Sequence, residues 1–145
     1  MSVPPEVSSG PEQPSPPTAV VRALDLALRI LGGVVAVAAA VVTAALELLL
    51  SMVRVGGVPV GVSVLLAVVA NVALSRFANH AVGRRWALAL PAVAWFALMV
   101  VASGGTGEGD VLIAADNWVG LAMIFAGSVA FAVMAFRLII APRQT

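Results

Sequence analysis

The sequence predicts an all-α fold: a four-transmembrane-helix up-down bundle that carries a disordered, proline-rich N-terminal tail. Three observations predict it. Of 145 residues, 61% are hydrophobic and 10% are charged; with glycine included the apolar share reaches about 70%, against the ~45–50% of a soluble domain. Four apolar runs each approach the roughly 20 residues that cross a bilayer core of about 30 Å. Short links join the runs, which makes neighbouring helices antiparallel.

The tail, residues 1–18, holds six of the nine prolines and nothing that can pack, so its ordering entropy has no compensation. Residues 19–145 form the membrane domain. Its helices are expected at about 28–53, 58–75, 86–103 and 118–140. Beyond Arg29 the first run is interrupted only by Glu47, and the second lies between Arg54 and Arg76 with no charge inside. The third is short but is extended by Ser103 and by Arg84 and Arg85 reaching to the interface. Valine-rich stretches such as 35–42 would suit strands in water. In hydrocarbon, unpaired backbone is intolerable and four strands cannot close a barrel, so the runs are helices.

The arginines set an expected orientation. Arg22, Arg29, Arg76, Arg84, Arg85, Arg137 and Arg143 fall on the side of the termini, and Arg54 alone on the other. Such a split over short loops predicts a multi-pass cell-membrane protein with both termini cytoplasmic. The opposite side carries Glu47, Glu108, Asp110 and Asp116. Trp86 and Trp118 fall at the two predicted boundaries, as an aromatic belt would.

Composition narrows the function. There is no Cys and no Tyr, and all eight basic residues are Arg. Disulfide scaffolds, Cys-ligated metals and thiol catalysis are excluded. A net charge of +1 gives no basis for nucleic-acid binding. No metal and no cofactor is expected. The outer segment Ser103–Asn117 is glycine-rich and acidic, but it lacks the spacing of a calcium loop. Acid–base residues are split between opposite membrane faces, so the chain is not expected to be an enzyme.

Glu47 is the only carboxyl inside a predicted span, about six residues, or roughly 9 Å, below the outer end of helix one. Thr43, Ser51 and Arg54 lie at offsets of −4, +4 and +7, within an arc of about 80°. These four form the candidate ion or proton site, with Thr43 and Ser51 expected to hydrogen-bond Glu47. The structural alternative is that Glu47 faces the bundle or snorkels outward to pair with Arg54. Pro91 is expected to loosen helix three near Ala87, and Trp95, one turn on, to fill space in the bundle or against acyl chains, or to shape a lipid or small-molecule pocket beside the kink. Small residues at Ala122, Ala126 and Ala130, with Gly120 and Gly127, suit close helix approach, within the monomer or between copies. Arg76, Arg84 and Arg85 are candidate lipid headgroup contacts. A helix continued past Arg76 would place Arg76, His80 and Arg84 on one face.

The Gly56-Gly57 pair, Gly83-Arg84-Arg85-Trp86, Pro91 with Trp95-Phe96, Glu108-Gly109-Asp110 and Gly127 carry a resemblance. Over about residues 56–127 the chain resembles a family of small four-helix actinobacterial integral membrane proteins of unknown function. Relatives often place Arg-Pro before Glu-Gly-Asp, where this chain has Thr106-Gly107. The resemblance implies topology and no activity.

The function expected is therefore a non-enzymatic accessory or scaffold protein that binds other membrane components. Its partners would be membrane lipids and another membrane protein or a second copy of the chain, with no nucleic acid. Two alternatives stand beside it. One is a small proton- or cation-coupled transporter using Glu47; the other is an accessory protein for lipid-linked envelope precursors.

Overall fold

The computed structural model describes residues 18–104 and 117–140. The proline-rich tail as far as residue 17, the acids Glu108, Asp110 and Asp116, and Arg143 lie outside the described residues. Among the described residues, four helical segments are long and apolar enough to cross a membrane. The protein is an all-α, multi-pass membrane protein.

Helix α1 (Ala19–Ser51) runs for 33 residues, about 50 Å at 1.5 Å per residue. It begins well before the predicted residue 28. Thr18 caps it, accepting a hydrogen bond from the Val21 amide at 3.5 Å. The charges that seemed to end the apolar run are compatible with helix, because Asp25 and Arg29 pair at i,i+4 with a 2.8 Å contact. Arg29 also donates from Nη1 to the Val82 carbonyl at 3.2 Å, level with the end of the next helix. Residues 19–28 are all exposed and overhang that end by about 15 Å.

The first link is a small hairpin of β1 (Arg54–Val55) and β2 (Val58–Pro59), antiparallel with Val55 opposite Val58. Its two turn residues, Gly56 and Gly57, have φ of 60° and 82°. A two-residue turn with both centres at positive φ matches strand twist, and glycine adopts it without steric cost.

Helix α2 (Val62–Val82) continues seven residues beyond the predicted end at 75. Its buried stripe Asn71, Leu74, Ser75, Ala78 and Val82 keeps helical spacing through Arg76 and His80. Gly83, at φ +68°, then stops it, donating its N–H to the Asn79 carbonyl at 3.0 Å. A 3₁₀ turn (Arg85–Leu88) leads straight into α3 (Ala89–Ser103). Pro91 therefore lies in the first α turn, where its missing N–H costs little. The change from 3₁₀ to α occurs there, in place of a kink within the span. Helix α4 (Trp118–Ile140) occupies the predicted residues. Asn117 caps it, its Oδ1 accepting from the Gly120 amide at 3.1 Å.

The helices run up, down, up and down. Helix α1 packs on α2 and α3, and α2 packs on α1 and α4, whereas α3 and α4 scarcely touch along their backbones. Small residues set the approach. The buried stripe of α1 is Gly33, Ala36, Ala40, Ala44, Glu47, Leu48 and Ser51. Lipid is as apolar as leucine, so helices associate through close packing and polar contacts. The outer surface is correspondingly apolar: Leu65, Val100, Val101 and Phe125 are each at least 70% exposed. The polar side chains Glu47, Ser51, Ser63, Asn71 and Ser75 are instead buried. This inverted layout is that of a protein solvated by lipid.

The α1–α2 contact is tight at Gly32, where an added Cβ would lie 2.7 Å from the Ala81 Cβ. Both atoms would be fixed to helical backbone, so neither could turn aside. Gly32→Ala is expected to lower stability by about 1–3 kcal/mol despite alanine's better helix propensity. Gly61→Ala, with nothing within 4 Å of the added Cβ, should cost under about 1 kcal/mol. Reversible unfolding in mixed detergent micelles checks both.

Candidate functional site: a buried carboxyl–indole contact and two arginine grooves

Glu47 lies one turn below the end of α1 and is wholly buried. The small residues preceding it on the same stripe bring α1 close enough to α3 for a direct side-chain bond. Trp95 Nε1 donates to Glu47 Oε2 at 2.8 Å in the buried interior. The indole is itself wholly buried. It meets Phe96 edge-on (centroids 5.1 Å apart, 85° between planes) and Phe131 of α4 at 5.8 Å and 61°. These separations and angles are those that the aromatic quadrupole favours.

Gly127 of α4 makes room for this arrangement. A Cβ there would lie 2.6 Å from Trp95 Cζ2 and 2.8 Å from Asn71 Nδ2. Side chains of α2 and α3 thus meet over bare backbone of α4. Gly127 contributes to packing within the monomer, one of the two uses expected for the small residues of this helix.

The remaining members of the predicted site are placed differently. Thr43 Oγ1 donates to the carbonyls of Ala39 (2.9 Å) and Ala40 (3.1 Å), and Ser51 Oγ donates to Leu48 at 2.7 Å. Neither hydroxyl bonds to Glu47, because helical backbone carbonyls are nearer acceptors in a water-poor setting. The hairpin carries Arg54 to an exposed position in β1, so it does not pair with Glu47. Ser51 does share the buried stripe with Glu47, and Thr43 is half-buried. The indole takes the partner's role expected of Thr43, Ser51 or Arg54.

Three groups expose the cost of this interior. Glu47 Oε1, Ser63 Oγ and both amide atoms of Asn71 are buried without a hydrogen-bond partner among the described residues. Each such orphan costs about 1–3 kcal/mol. Of these, Asn71 comes up to the Trp95 indole, since both lie against the bare Cα of Gly127. Asn71 went unremarked in the sequence, although an amide within a charge-free span is a usable signal. The sequence marks Trp95 as bulk or as a pocket wall, and the structure makes it a hydrogen-bond donor. Among the described residues, no group of three or more His, Asp or Glu could hold a metal ion.

The arginines divide between two grooves at the end that carries the termini. One, of about 870 Å³, lies between α1 and the start of α3 and is lined by Arg29, Arg84 and Trp86. The other, of about 530 Å³, lies in the α3–α4 seam and includes Arg85. Arg84 and Arg85 are neighbours in sequence yet line different faces. Arg76 is exposed on α2, where its carbonyl engages His80 Nδ1 at 2.8 Å. Because Gly83 ends α2, Arg84 does not continue the Arg76–His80 face. Arg29, read in the sequence only as a marker of orientation, joins Arg84 instead.

Removing the indole donor tests the centre. Trp95→Phe leaves both Glu47 oxygens without a partner and should destabilise the bundle by about 2–5 kcal/mol, combining a lost bond with lost volume. Glu47→Gln keeps an oxygen acceptor for the indole and should cost under about 1.5 kcal/mol. Unfolding in mixed micelles separates the two variants.

No protein-family model, no curated protein and no solved structure matches this chain.

Proposed function

We propose that the protein is a non-enzymatic accessory subunit of the cell membrane, and that it receives a membrane-spanning helix of another protein in the α3–α4 seam. The observation that carries this is the seam itself. Its two helices stand apart along their backbones, and the groove between them is walled by Ala92, Ser128, Ala132 and Ala135 with Phe96 and Phe131. Small residues admit a helix backbone closely, and the aromatic rings offer wide apolar contact. The cytoplasmic placement of both termini, supported by the arginine bias, belongs to this proposal. So does membership of the four-helix actinobacterial family, supported by the Gly83–Trp86 and Pro91–Trp95 motifs.

A second function, a proton- or cation-coupled carrier, draws support from the unpartnered oxygen of Glu47. Its sealed position argues for the accessory role, since Glu47 is wholly inaccessible and a coupling carboxyl must exchange with both sides.

A photo-crosslinking residue at Ala132, in native membranes, should capture one discrete membrane protein, whereas the same residue at exposed Leu65 should not. Ala132→Phe should abolish co-purification of that protein. Capture of the chain by itself alone would replace the partner with a homo-oligomer. Proton-coupled uptake in vesicles that Glu47→Gln abolishes would favour the carrier.

A further inference from the structure

We infer that the groove between α1 and the start of α3 is a binding site for an anionic phospholipid, its phosphate held by Arg29 and Arg84. This site meets the seam only at Trp86 and does not depend on a partner protein there.

The two arginines are brought together by a specific piece of backbone. Gly83 takes up the left-handed conformation that ends α2, and its bare Cα seats the Arg29 guanidinium: a Cβ there would lie 3.0 Å from Arg29 Nη1. The Val82 carbonyl accepts from the same Nη1 at 3.2 Å, and Asp25 Oδ2 accepts from Nε at 2.8 Å. Arg29 is therefore fixed at two of its five N–H groups, leaving three for an external acceptor. The next residue after Gly83 is Arg84, exposed and without a side-chain partner among the described residues. Asp25 offsets one of the two positive charges, and Arg84 leaves the groove cationic. A phosphate diester carries one negative charge and acceptor oxygens suited to the guanidinium fork.

The rest of the groove identifies the phosphate as a lipid's. Below the arginines its wall is apolar, formed by Val34, Val37 and Leu90. Its lining residues Leu26, Ile30 and Val34 are exposed, so the groove lies open at the bundle surface, and Trp86, 58% exposed, lines it too. Cationic head, amphipathic indole and apolar floor follow one another as headgroup, interface and acyl chain do in a leaflet. The α1 overhang lengthens one wall through Asp25 and Leu26, so a bound lipid would be flanked on the headgroup side.

The test uses the full chain in nanodiscs containing equal phosphatidylglycerol and phosphatidylcholine, with native mass spectrometry counting the lipid retained after release. The wild type should retain phosphatidylglycerol preferentially. Arg84→Gln should lower that preference about fivefold, whereas Arg76→Gln, at a candidate headgroup contact that lies outside the groove, should lower it less than about twofold. Millimolar glycerol phosphate, a headgroup without chains, should not displace the retained lipid. Equal retention of the two lipids would overturn the inference, as would equal losses from the Arg84 and Arg76 variants. Displacement by glycerol phosphate would reassign the site to a free phosphate compound and overturn it too. Crosslinking at Ala132 reads the seam, which shares only Trp86 with this groove, so either proposal can fail while the other stands.

Discussion

The hydrogen bond from Trp95 to Glu47 is the contact around which the bundle is arranged. In hydrocarbon no water drives helices together, and a buried carboxyl without a donor is a heavy liability. The indole meets that need at 2.8 Å, but only because other residues give way. Alanines at 36, 40 and 44 draw α1 inward, and Gly127 leaves α4 bare where the benzo edge of the indole lies. Phe131 then closes on the ring from α4. One polar contact therefore ties α1 to α3, and the ring that makes it supplies the main link from α3 to α4.

That arrangement explains the unequal packing. Helix α2 is gripped by α1 and α4, while α3 reaches α4 through aromatic side chains more than through backbone. A seam remains on one side and a groove on another, both toward the end of the termini. The left-handed turn at Gly83 determines which arginine faces which opening. It sends Arg84 beside Arg29 and leaves Arg85 to the seam.

Much of the architecture was legible in the sequence. Counting apolar residues against bilayer thickness located all four spans, and α4 begins and ends at the predicted residues. Helix ends were less legible where charge coincided with helix: Asp25–Arg29 and Arg76–His80 look like boundaries in composition but satisfy i,i+4 spacing. Periodicity places Glu47 and Ser51 on one face of α1, and in the structure both are buried there. It could not identify the partner of Glu47, because that residue is 48 positions away on another helix. Local spacing favoured Thr43 and Ser51, and the backbone carbonyls one turn back claimed both hydroxyls. The Arg29–Arg84 pairing was hidden for the same reason: it depends on how α1 and α2 align, which no local pattern records.

The direct measurement of the central contact is hydrogen–deuterium exchange of the three tryptophan indole N–H groups, followed by proton–nitrogen correlation spectroscopy in micelles. Trp86 and Trp118 are exposed, and Trp95 is not. The Trp95 signal should persist long after the other two have exchanged, and Glu47→Leu should shift it and accelerate its exchange while leaving the others unmoved. A Trp95 signal that exchanges as fast as those of Trp86 and Trp118, or that ignores Glu47→Leu, would contradict the account.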